Sequence, residues 1–97
     1  MTKTEFNLLV KEWRDATAHL SNIKIKSLHP AYQQIIAAGQ DVIPFILNDL
    51  KENGPDDWFF ALTKITGENP LNPHTAGIMR SMTDAWLQWG IKRGYLI

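Results

Sequence analysis

Cysteine is absent from this 97-residue chain, and with it go disulfides, thiolate nucleophiles and the cysteine-type zinc and iron–sulfur sites. Charge of one sign is not in surplus either. Ten Lys and Arg face ten Asp and Glu, so the whole molecule lacks the positive field that gives nucleic-acid binders most of their affinity. No apolar run approaches the length of a membrane-crossing helix, and Met1-Thr2-Lys3-Thr4-Glu5 leads into no signal-peptide core. The expectation is a cytoplasmic protein. Gly54 and Gly67 open no phosphate-binding loop pattern and read as helix terminators. The histidines, His19, His29 and His74, are never three or four residues apart, the spacing that sets two metal ligands on one helix face. No catalytic, cofactor-binding or metal-ligating set is expected.

What is present is apolar and aromatic. With 44% hydrophobic residues and four tryptophans, the chain has enough large side chains to fill one core, and at this length only one. Residues 1–97 therefore read as a single domain. Phe6, Leu9, Val10, Trp13, Ala16 and Leu20 recur at three- and four-residue steps and predict an amphipathic helix over 3–20, with Thr2 or Thr4 as its N-cap. Ile23-Lys24-Ile25-Lys26 alternates as a strand does, but it is short and unpaired, so it reads as an extended connector. His29-Pro30 opens a second helix that Gly39 closes, and 41–52 is a third, apolar around most of its circumference. Residues 56–66 form a fourth, with Asp56 and Asp57 complementing its dipole. After a loop stiffened by Pro70 and Pro73, Thr75 caps a fifth that Gly94 ends. The fold class is all-α: five helices in antiparallel hairpins, HEAT-like or an irregular bundle.

The stretch Ile36 to Leu50, with its Gly39 and Pro44, followed by Ala61-Leu62 and Lys64-Ile65-Thr66-Gly67, resembles a HEAT-type helical repeat. That resemblance implies stacked helical hairpins used for protein binding. His29-Pro30-Ala31-Tyr32, Trp58-Phe59-Phe60-Ala61-Leu62, Ile65 to Pro70 and Ala85-Trp86-Leu87-Gln88-Trp89-Gly90 also resemble landmarks of a family of small bacterial proteins. This second likeness implies no mechanism.

Two apolar groups fall off the core faces. On the fourth helix Trp58, Leu62 and Ile65 share one side while Phe60 points away from it, beside Lys64. Either the helix is buried on two sides, or Phe60 stands on an exposed groove and anchors a partner. On the fifth, Leu87 and Ile91 form an i, i+4 pair opposite Trp86 and Trp89, to be covered by Tyr95-Leu96-Ile97 or by another chain. Asp41, Asp49, Glu52, Asp56, Asp57 and Glu68 outnumber Lys51 and Lys64 over 41–68, an acidic surface suited to a basic partner. The expected site is thus Phe60, Lys64, Asp56, Asp57, Leu87 and Ile91. The expected function is a non-enzymatic protein-binding module, antitoxin- or immunity-like, that neutralises a cognate protein. One alternative is a nucleic-acid accessory protein using Lys24, Lys26, Arg80, Lys92 and Arg93 as a basic patch. Another is an enzyme with a site between helices or subunits, drawing on His29, Tyr32 or His74. His19 is expected to pair with Asp15 in solvent.

Overall fold

Thr2 begins the first helix by a reciprocal cap. Its hydroxyl accepts the Glu5 backbone N–H while the Glu5 carboxylate reaches back to Thr2, which satisfies donors that the first helical turn otherwise leaves open. This is α1 (Lys3–Thr17) in a computed structural model that describes all residues from Met1 to Ile97. It is followed by α2 (Ile23–Lys26), α3 (Pro30–Ala37), a 3-10 turn (Gly39–Val42), α4 (Ile43–Asn53), α5 (Phe59–Thr66) and α6 (Met79–Lys92). The fold is all-α. No helix is long and apolar enough to cross a membrane.

The differences from the sequence reading lie mainly at helix starts, and α1 ends at Thr17 short of the expected Leu20. Residues 23–26 are a helical turn, not an extended connector: the Asn22 side chain accepts from Lys24 N, and Trp13 Nε1–H donates to the Lys26 carbonyl at 3.0 Å. Alternation over four residues was too short to define a period. The third expected helix splits into the 3-10 turn and α4, where Pro44 has no N–H to offer the preceding turn. α5 starts at Phe59 instead of 56, because the Asp56 carboxylate accepts the Asp57 N–H and both acids turn toward other elements. Thr75 lies in a turn closed by Asn72, and positive φ at Gly77 separates that turn from α6. His29 does start α3, accepting from Ala31 N at Nδ1, with Pro30 in the first turn.

α1 packs on α3, α3 on α5, α5 on α4, and α4 on α6. At the meeting point of α1, α3 and the start of α5 lies an aromatic cluster. Trp58 is its hub, with ring centroids 5.0 Å from Trp13 and 5.8 Å from both Phe6 and Tyr32. Trp13, Tyr32 and Trp58 are wholly buried. Ile35, Val42, Ile43, Ile46, Leu47, Leu50 and Leu62 complete the aliphatic part of the same core.

The C-terminal segment folds back on α6. Tyr95 N–H and Leu96 N–H both donate to the Gly90 carbonyl, and Gly94 N–H donates to Ile91 O, a pattern that satisfies the last carbonyls of the helix. Tyr95 stacks on Trp89 at 5.5 Å, while Trp86 meets Trp89 edge-on at 5.2 Å. The segment therefore covers Gly90 and Trp89, and leaves Ile91 45% exposed.

Candidate functional site

Phe60 belongs to the first turn of α5, between the buried hub Trp58 and the buried pair Ala61 and Leu62. Helical spacing turns its ring the other way, and it remains 40% exposed. Its inner edge meets the Tyr32 ring at 6.4 Å, and Lys64, one turn on, holds its ammonium 5.7 Å from the ring centroid. Of the two readings, exposure is the one realised. The ring is not seated in a groove, however: the molecule's one pocket, about 70 Å³, lies between α1 and α4 around Phe6, Phe45, Asn48 and Glu52.

Asp56 and Asp57 are occupied internally. Arg14 donates from Nε and Nη2 to Asp56 Oδ2 at 2.9 and 2.7 Å, and from Nη2 to Asp49 Oδ2 at 2.7 Å. Lys26 Nζ bonds Asp57 Oδ2 at 2.6 Å and lies 5.3 Å from the Trp13 ring. The Asp57 carbonyl in turn accepts the Tyr32 hydroxyl, which itself accepts the Ala61 N–H, each at 3.0 Å. Three of the acids expected to give 41–68 an acidic surface are thereby engaged by α1 and α2, with Arg14 shared between Asp49 and Asp56. Their role is to tie α4 and the 54–58 segment to those helices, and no run of contiguous positions shows it. Arg14 sits beside Trp13 on the edge of the stripe, and nothing local marks its two partners, 35 and 42 residues away.

Asp49 is the most heavily bonded group of this network, accepting from Arg14, Asn53 and Trp58. Burial opposes its ionisation, but those three hydrogen bonds and the guanidinium charge outweigh burial and hold its carboxyl below the usual value of 3.8. Burial also pushes the Tyr32 hydroxyl up; the Ala61 hydrogen bond pulls the other way, and Asp57 and Asp56 add to the rise.

Leu87 and Ile91 are divided. Leu87 is half-buried against the core, whereas Ile91 is 45% exposed. Both stand on α6, packed on α4, whereas Phe60 stands on α5 and contacts Tyr32 of α3, so the two expected sites lie on different helices. Of the five cations expected as a basic patch, Lys26 is paired with Asp57 and Arg93 with Glu68. His19 does not pair with Asp15, which is taken by Lys11 at 2.7 Å. His74 is exposed in the 73–77 turn, and no three His, Cys, Asp or Glu side chains converge. The chain matches no protein-family model, no curated protein and no solved structure.

Proposed function

We propose that this chain is a non-enzymatic protein-binding module whose partner is anchored on Phe60, with Lys64 beside the ring. The observation that carries the reading is an aromatic side chain held outward on a filled core: Trp58, Ala61 and Leu62 are fully buried while Phe60 is not. A ring fixed in this way loses little conformational freedom on binding, which is why aromatic anchors dominate many interfaces. An antitoxin- or immunity-like role is the case in which the partner is a toxic protein that this domain neutralises. The HEAT-like segment would then supply the α4–α5 hairpin on which the anchor stands.

Phe60→Asp tests the reading. A partly exposed ring tolerates the charge, so the variant should fold with an unchanged circular dichroism spectrum. Association with a stoichiometric partner purified from the native host should be lost, because a central anchor carries about 2 kcal/mol or more. Unfolding of the variant, or full retention of the partner, would sink the proposal. So would turnover of a substrate by the purified chain that is abolished by His29→Ala or His74→Ala.

A further inference from the structure

We propose that the surface made by α2 and the first turn of α5 receives an acidic, amphipathic segment of the partner protein. This rests on the protein-binding reading and assigns the partner a charge opposite to the basic one that composition suggested.

The first support is the way α2 is held. Four residues cannot sustain a helix by themselves, and Ile23 and Ile25 are β-branched. The turn is fixed by tertiary bonds: Trp13 Nε1–H to Lys26 O, Lys26 Nζ to Asp57, and Gln33 Nε2–H to Ser27 O at 2.6 Å. With half-buried Lys26 and buried Ser27 turned inward, helical spacing places Lys24, Ile25 and Leu28 on the outer side. Ile25 is 52% and Leu28 68% exposed. A preorganised turn thus displays bare aliphatic groups, and preorganisation lowers the entropic cost of docking.

The second support is continuity with Phe60. Asp57 holds Lys26 through its carboxylate and Tyr32 through its carbonyl, and the Tyr32 ring contacts Phe60. Leu28 lies two residues beyond Lys26 and Phe60 three beyond Asp57, so the Lys26–Asp57 pair ties together the two segments that carry them. The third is charge. Asp57 is paired with Lys26, and Asp56 shares Arg14 with Asp49; residues 16–40 contain no Asp or Glu, and exposed Lys24 and Lys64 have no carboxylate within ion-pair distance. What complements apolar groups bordered by two unopposed ammonium ions is an apolar stripe bordered by carboxylates.

The test uses two labelled helical peptides that share one leucine stripe and carry either glutamates or lysines along its flanks, titrated with the whole chain by fluorescence anisotropy. The glutamate peptide should bind about tenfold tighter or more, and added salt should narrow the gap. Lys24→Glu with Lys64→Glu should reverse the preference, and Leu28→Ala or Phe60→Ala should weaken both peptides. Equal binding, a lysine-peptide preference, no reversal or no binding by either peptide each overturns the proposal. Two further results overturn it: a wild-type dimer that Leu28→Ala renders monomeric, and Leu28-dependent binding to phosphatidylserine vesicles in preference to the peptides. The two readings separate cleanly. A host partner lost with Phe60→Asp but indifferent to Lys24→Glu and Lys64→Glu removes this proposal alone, whereas a partner retained by Phe60→Asp removes the protein-binding reading itself.

Discussion

The indole N–H of Trp58 donates to the carboxylate of Asp49 at 2.8 Å, and the oxygen that accepts it also holds Arg14 at 2.7 Å. The hub of the aromatic core is thereby wired to the charge network that fastens α1 and the 54–58 segment. The Asp49 side chain is only 11% exposed, so loss of its charge would leave Arg14 with Asp56 as its only anion and weaken the bond donated by the buried Trp58 N–H. Arg14 is itself 38% exposed, and solvent screens part of the attraction.

Acid should therefore weaken the fold through Asp49. Its folded-state pKa is depressed below 3.8, so the unfolded chain takes up the proton first as pH falls. The stabilisation is fully present above that value and disappears as pH drops through the folded-state value. Urea midpoints measured from neutral pH downward should fall below about pH 4. Asp49→Asn should begin less stable and show a flatter acid limb. An unchanged limb in that variant would mean that other carboxylates govern acid unfolding.

Alkali should act through Tyr32 with the opposite sign. Its hydroxyl is raised above the ordinary 10.0, chiefly by burial, so the unfolded state ionises first. The stabilisation is complete below about pH 10 and is lost as pH rises beyond it. Tyr32→Phe strands the Ala61 N–H and should cost about 1–3 kcal/mol at neutral pH. That variant should then lose less than the parent on transfer to alkaline buffer. Parallel losses in both proteins would contradict this.

The tryptophans should rank by whether their N–H is used. Trp13 and Trp58 donate to Lys26 O and Asp49, whereas the buried indole N–H groups of Trp86 and Trp89 have no acceptor. Substitution by Phe at 13 or 58 removes a hydrogen bond, worth about 1 kcal/mol beyond the lost volume, although Lys26 O keeps the His29 N–H and Asp49 keeps Arg14 and Asn53, while at 86 it removes an unpaired donor. Melting temperatures should place Trp86→Phe above both others. Truncation to Ala at Trp13 or Trp89 should cost about 3–5 kcal/mol and abolish cooperative unfolding. Melting within a few degrees of the parent would refute their placement in the core.

Gly90→Ala sets helix propensity against packing. Ala gains about 1 kcal/mol over Gly inside a helix, but its Cβ would stand 2.6 Å from Leu47 Cδ1 and 3.3 Å from Leu96 Cδ1. Leu47 is fully buried, and overpacking costs about 1–3 kcal/mol. A net loss of about 1 kcal/mol is expected, reduced in a Leu47→Val background because the pair is coupled. A stabilised single variant would show that Leu47 yields freely.

The all-α class, the principal helices and the burial of Trp13, Trp58, Leu62, Trp86 and Trp89 were all legible along the chain. Each depends on local regularities: the 3.6-residue period of apolar positions, prolines that need no N–H, and glycines that end helices. The exposure of Phe60 was legible only as one of two alternatives, since a helical wheel gives the direction of a side chain and not what lies there. Tertiary structure alone decided the rest. Asp56 and Asp57 became the partners of Arg14 and Lys26 rather than surface charge, and α2 became a helical turn presenting Leu28. Those outcomes depend on contacts 31 and 42 residues apart in sequence. Periodicity carries no information about such distances: the sign of a side chain's charge is written in the sequence, but whether that charge is spent inside the molecule or offered to a partner depends on which helices pack together.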